Sequence, residues 1–190
     1  MKTFGTIPGW LTRVLRVLAA FALAGVAGWF SPWITASIWH AFHPRGRVMY
    51  RGLEIRVPWP WTADTDLVGS EESVTPEGLA LKKMPPTMDL RQPPQSVFVT
   101  VISPDPGVSA EEQTKRWMEV FRASHAGAKF EAATPVGIPA GASCLSADNP
   151  ARAADIIWTC ISVSDGWVAN FEGHTRDEPV FFQVVGNLKR

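Results

Sequence analysis

The sequence is poorest where catalytic and metal chemistry usually shows itself. It holds two cysteines and four histidines in 190 residues. It contains no G-x-S-x-G, no glycine-rich phosphate loop, no C-x-x-C and no H-E-x-x-H, which lowers the odds of the commonest hydrolase, nucleotide and zinc sites without excluding an unusual one. His40 and His43 lie three residues apart but lack a neighbouring Cys, Asp or Glu, so we expect headgroup-level residues there and no metal. His125 and His174 have no sequence partner. We therefore assign no catalytic residue and expect no cofactor. Net charge is also missing, because eighteen bases balance eighteen acids.

The longest absence is of charge within a stretch. From Val17 to Trp39 there is none, and Leu, Ala, Val, Phe, Ile and Trp predominate. Residues 10–30 alone supply roughly 31 Å of helix, matching a hydrocarbon core of ~30 Å. Arg13 and Arg16 sit near the start, where their stems reach headgroups, and Trp10, Trp29 and Trp33 fall where aromatic belts belong. Ser31-Pro32 reads as a cap and first helical residue. The expectation is thus a tail and transmembrane anchor over residues 1–31, then a short interfacial helix and juxtamembrane linker over 32–46. That helix would lay Ile34, Ile38 and Phe42 on the bilayer surface. A cleaved signal peptide is the alternative, with Gly25-Val26-Ala27 as its cleavage site, but the apolar run continues well past that point. Orientation has arguments both ways: Lys2, Arg13 and Arg16 favour an inside N-terminus, whereas the four arginines of residues 45–56 oppose it. We expect a signal-anchor with the adjoining domain outside the cytoplasm, in a periplasmic or cell-envelope setting.

Residues 47–190, beyond the anchor, are the size of one domain. Its charges are sorted. Arg45, Arg47, Arg51 and Arg56 face one acid, Glu54, and then Asp64, Asp66, Glu71, Glu72 and Glu77 arrive before Lys82. A basic collar beside a span favours anionic lipid, and an acidic body disfavours nucleic acid. Membrane lipid and an envelope protein are accordingly the expected partners.

Leu53, Ile55 and Val57 alternate as a half-buried strand. Pro58-Trp59-Pro60-Trp61 is stiff and presents two indoles, either as an aromatic platform for a ligand or as a cover for the core, which is the commoner fate of Trp. Trp59 and Trp61, with Asp64 and Asp66 on the adjoining acidic loop, are the candidate ligand-binding residues; a cation at the two aspartates is less expected than a solvated loop. An edge strand is expected near 78–83 and a buried strand over Val97–Ile102, with strand candidates over 128–136 and 141–147. Ser109-Ala110-Glu111-Glu112 is a capping box opening a helix to about Ser124, with Trp117, Val120, Phe121 and Ser124 on one stripe. Asp165-Gly166 predicts a two-residue hairpin turn that pairs Cys160 with Phe171. Phe181, Val184, Val185 and Leu188 mark a C-terminal helix ending in Lys189 and Arg190. If 142–146 pairs with 158–162 around a loop near Arg152, Cys144 and Cys160 fall opposite each other, as a disulfide in an oxidising compartment or as two buried thiols.

This order of elements resembles the PsbP-like α/β/α sandwich family. The likeness is carried by Arg56-Val57-Pro58-x-Pro60-Trp61, the Val97–Ile102 strand, the capped Ser109 helix, the meander through Cys144, Cys160 and Phe171, and the paired aromatics of the last helix. It covers roughly 47–190, and the chain departs from lipoprotein members in having no lipid-attachment cysteine near its start. The resemblance implies an α+β fold, an antiparallel sheet covered by helices, and an accessory or binding role. An enzyme acting on an envelope polymer and a purely structural envelope domain are the alternatives.

Overall fold

The computed structural model describes residues 9–64, 78–83, 95–152 and 154–189. Asp66 lies outside the described residues, so the structure places Asp64 but not its partner in the acidic loop.

The first element differs from expectation. A single helix, α1 (Gly9–Phe42), runs through Pro32 without ending at Ser31. Proline in a helix interior removes one N–H and leaves the carbonyl four residues back without its donor. Here that carbonyl belongs to Gly28, and the Ser31 hydroxyl donates to it at 2.9 Å. The residue pair that reads as a cap is instead an internal repair. At 34 residues the helix is about 51 Å long, and among the described residues it is the one helix long and apolar enough to cross a membrane.

Its last three turns are not a surface helix. Pro32, Ala36, Trp39 and His43, spaced four, three and four apart, are buried on one face. Ile34, Ile38 and Phe42 stay exposed on another. Trp39 belongs to the main core, and the His43 ring stacks on it at 4.0 Å. A turn at 44–46 then redirects the chain. Gly46 donates to His43 O and accepts from Val57 N, each at 2.8 Å, with a positive φ of 64°. A Cβ there would run into the Val57 carbonyl oxygen, so glycine fits for space as well as for conformation.

The body is a seven-stranded antiparallel sheet in the order β3-β4-β5-β9-β8-β7-β6. Its strands are β3 (Thr62–Ala63), β4 (Leu79–Lys83), β5 (Gln95–Val101), β6 (Glu131–Ala133), β7 (Ser143–Asp148), β8 (Asp155–Ser162) and β9 (Trp167–His174). A separate hairpin, β1 (Arg47–Tyr50) and β2 (Leu53–Arg56), turns through Arg51 and Gly52 at φ 48° and 80°, the paired positive φ that a two-residue turn with native twist requires. β4 is not an edge, because β3 pairs outside it.

Alternation divides the side chains between two layers. One face carries Val97, Val99, Trp158, Cys160, Trp167 and Phe171 and packs on the hairpin, the end of α1 and α3 (Glu178–Val185). The other carries Leu145, Ile161 and Val168 under α2 (Ala110–Ser124). The α+β sandwich expected from the sequence is the observed architecture. Within α2, Met118 and Phe121 are buried whereas Val120 is 63% exposed, so the inward stripe lies one step round from the expected one. The Ser109 hydroxyl accepts from Glu112 N at 3.1 Å, but the Glu112 carboxylate turns to Arg116 rather than back to the cap.

Two further registers differ. Cys160 pairs with Ala169, not Phe171, and Ser162 with Trp167, so the hairpin closes on four residues. Ser162 Oγ bonds Asp165 Oδ2 at 2.7 Å and accepts from Asp165 N at 3.3 Å, which draws residues 163–166 into a wider loop. The shift is by two residues, so both faces survive it. At the C-terminus the helix stops at Val185. Lys189 does not cap it; it pairs with Glu54 as a short antiparallel bridge, with Glu54 N to Lys189 O at 2.6 Å.

Candidate functional site

The aromatic pair separates. Trp61 is 1% exposed in the main core, whereas Trp59, one peptide before the proline, is 57% exposed. The Trp59–Pro60 peptide is cis, and Trp61 N donates to Pro58 O at 2.8 Å, closing a tight turn. The turn is held against α1 by a 3.0 Å hydrogen bond between His40 Nε2 and Trp61 O. His43 Nδ1 meets Trp39 O at 2.8 Å, so His40 ties the helix to the turn while His43 closes the helix end on itself. Asp64 is in a 2.6 Å ion pair with Lys82 across the β3–β4 pairing. Trp59, Trp61 and Asp64 thus form no shared cleft.

Cys144 and Cys160 stand opposite each other in the β7–β8 register and carry a disulfide with an S–S distance of 2.07 Å. Both are buried in the main core.

A concave surface lies on the other face of the sheet. A cavity of about 220 Å³ is floored by Ser96 and Phe98 of β5, Ile157 of β8 and Asn170 and Glu172 of β9. Its wall is the end of α2, through Phe121 and His125. Here α2 stops short of covering β5, and alternation leaves polar and aromatic side chains on the uncovered strip. Asn170 is held by a chain of hydrogen bonds: Trp117 Nε1 donates to Thr159 Oγ1 at 3.1 Å, and Thr159 donates to Asn170 Oδ1 at 2.6 Å. With Oδ1 engaged, the amide NH₂ remains as a donor toward a ligand. Glu172 accepts from Asn149 Nδ2 at 2.8 Å. His125 Nδ1 is within 3.0 Å of both Phe121 O and Ser124 Oγ. Such a pocket seats one apolar group, with a fixed amide to meet its acceptor.

A polar cluster closes the rim of the β8–β9 hairpin. Buried Asp155 meets His174 Nδ1 at 2.7 Å, and Arg152 lies 3.7 Å from Asp155 and 3.8 Å from Glu172. His174, solitary in sequence, thus has a carboxylate partner through the Asp155–His174 register pair. No group of three metal-ligating side chains occurs among the described residues. On the opposite face, burial lifts the Glu178 carboxyl above its ordinary value, and the buried Trp158 N–H, which reaches no well-formed hydrogen bond, offsets only part of that.

No protein-family model matches the chain, and no curated protein sequence does. Its fold is similar to the solution structure of cyanobacterial PsbP (CyanoP) from Synechocystis sp. PCC 6803, at 14% identity and a TM-score of 0.39, over 75% of this chain and 89% of that one. Similarity at that level is one of chain path at most and assigns neither a ligand nor a partner.

Proposed function

We propose that this protein is a membrane-anchored binding or assembly module whose domain stands outside the cytoplasm in the cell envelope. The observation that carries the proposal is the continuity of α1 with the core. A helix of membrane-spanning length ends with Trp39 and His43 packed inside the domain it carries, so the domain is fixed at one height and orientation rather than tethered. The Cys144–Cys160 bond supports the compartment, because disulfides persist where the surroundings oxidise. The cavity beside α2 supports the binding role. It has room for one aromatic or branched side chain of a partner protein, whose backbone carbonyl would accept from Asn170.

The reading of an enzyme on envelope polymers draws less support, since Trp61 is in the core and Asp64 in an ion pair. Two measurements test the proposal. Protease added to intact spheroplasts digests the domain if it lies outside, and full protection reverses that assignment. A partner retained in mild detergent by the wild-type chain is lost from Asn170→Leu if the cavity is its seat; repeated recovery of the protein alone overturns the assembly reading.

A further inference from the structure

At about 51 Å, α1 exceeds a ~30 Å hydrocarbon slab by roughly 20 Å, and its side chains decide where the slab lies. Arg13 and Arg16 mark one end, and no Lys, Arg, Asp or Glu occurs again until Arg45. Exposed apolar side chains continue along the lipid-facing side from Phe21 through Trp29 and Phe30 to Ile34 and Ile38, the last two 48% and 49% exposed. A slab ending at Ser31 would leave those isoleucines in water, because the domain covers only the Pro32, Ala36 and Trp39 face. A slab from about Leu18 to Ile38 takes them into lipid and sets both N-terminal arginines among headgroups.

In that placement the domain's base lies in the opposite headgroup layer. The Pro58–Trp61 turn is bonded to His40, so exposed Trp59 stands at the helix's exit level, where an amphipathic indole is favoured. Arg45 lies three residues past the helix end, in the 44–46 turn. Arg47 and Arg56 are cross-strand partners at the hairpin end nearest the helix, both partly exposed. Exposed Lys189 is bridged beside them. Glu54 lies 3.5 Å from each of the paired arginines and is bridged through its backbone to Lys189, so this stretch carries more bases than acids.

We propose that this base, formed by Trp59, Arg45, Arg47, Arg56 and Lys189, is a docking surface for the anionic headgroups of the bilayer that α1 crosses. The inference rests on the anchor reading and adds that the domain is seated in the interface rather than held above it. Charge complementarity selects lipid over an acidic protein, because the helix presents this surface to headgroups continuously while any other partner must arrive by diffusion.

Site-directed spin labels in nanodiscs test it. The two native cysteines are bonded to each other, so Ile38→Cys, Trp59→Cys and Val120→Cys each supply a single reactive thiol. In nanodiscs of phosphatidylcholine with phosphatidylglycerol, the oxygen-to-nickel-chelate accessibility ratio should be hydrocarbon-like at position 38, intermediate at 59 and water-like at 120. Adding Arg45→Gln, Arg47→Gln and Arg56→Gln, or using phosphatidylcholine alone, should shift position 59 toward the water value. A water-like position 59 in the anionic disc overturns the inference, and so does indifference to both lipid charge and arginine loss. Vesicle flotation after alkaline wash separates the two levels: a chain that does not float removes the anchor and this inference together. A chain that floats with a water-like position 59 removes only the inference.

Discussion

Replacing Trp39 by alanine separates a helix that is part of the domain from one that merely carries it. Trp39 is 4% exposed, sits in the main cluster with Tyr50, Ile55 and Trp61, and stacks on His43 with an interplanar angle of 10°. A buried indole removes about 200 Å² from water, which at ~25 cal/mol per Å² is about 5 kcal/mol. Mutational experience with large-to-small aromatic changes gives about 3–5 kcal/mol, the lower figures where the site collapses. Against a total stability of ~5–15 kcal/mol this is a large fraction. In urea unfolding of the full chain in dodecyl maltoside micelles, followed by the far-ultraviolet dichroism of the sheet, an m-value of about 2 kcal/mol/M turns that loss into a midpoint lower by roughly 1.5–2.5 M. Ile38→Ala, one residue away but exposed, should stay within about 0.5 kcal/mol of wild type. A Trp39→Ala midpoint no lower than that of Ile38→Ala would refute the joint and return α1 to the role of a tether.

The same packing sets three further outcomes. Reducing Cys144–Cys160, or replacing both cysteines by alanine, should cost about 3 kcal/mol for a sequence separation of 16, read as a lower unfolding midpoint in dithiothreitol; equal midpoints with and without reductant would contradict it. Gly46→Ala and Gly52→Ala both place alanine at positive φ, at about 1–2 kcal/mol, but only Gly46 meets the Val57 carbonyl. Its melting temperature should therefore fall further, and the reverse order would be inconsistent with the tight turn. Glu178 binds its proton more tightly in the folded state, chiefly through burial. Its destabilising effect is absent below the unfolded carboxyl's ordinary value and grows as the pH rises from there through the raised folded one. Glu178→Gln should therefore gain on wild type at neutral pH and lose that advantage in acid, and a pH-independent difference between the two would remove burial as the cause.

Periodicity made the sheet legible because both of its faces are covered. Val97 and Val99 face one layer, Ile161 and Val168 the other, and the Cys144–Cys160 register comes from strand spacing alone. The elements that escape the pattern are those fixed by contacts distant in sequence. The Asp165-Gly166 turn predicts a hairpin correctly but not its length, which Ser162 sets through its bonds to Asp165. Arg47–Tyr50 alternates as clearly as Leu53–Arg56, yet it becomes a strand only beside it, through the Arg51-Gly52 turn. The cavity has no signature because its walls come from β5, β8, β9 and α2, and none of its residues is unusual in its own segment. His174 is solitary by sequence and paired in space, since Asp155 stands nineteen residues away across a hairpin.

Pro32 shows how one residue pair can carry two readings with opposite mechanical consequences. As a helix start it predicts a hinge, with the domain free to tilt about Ser31. Inside a helix it predicts a kink unless the carbonyl it strands is satisfied. The Ser31 hydroxyl takes that carbonyl, and three turns later the same helix is held by the Trp39–His43 stack, the His40–Trp61 hydrogen bond and the Gly46–Val57 bond. The helix is thus supported where proline weakens it and clamped where it leaves the apolar run. With the joint stiff, the position of α1 sets the position of Trp59 and the arginines beside it, so helix and domain base act as one rigid unit.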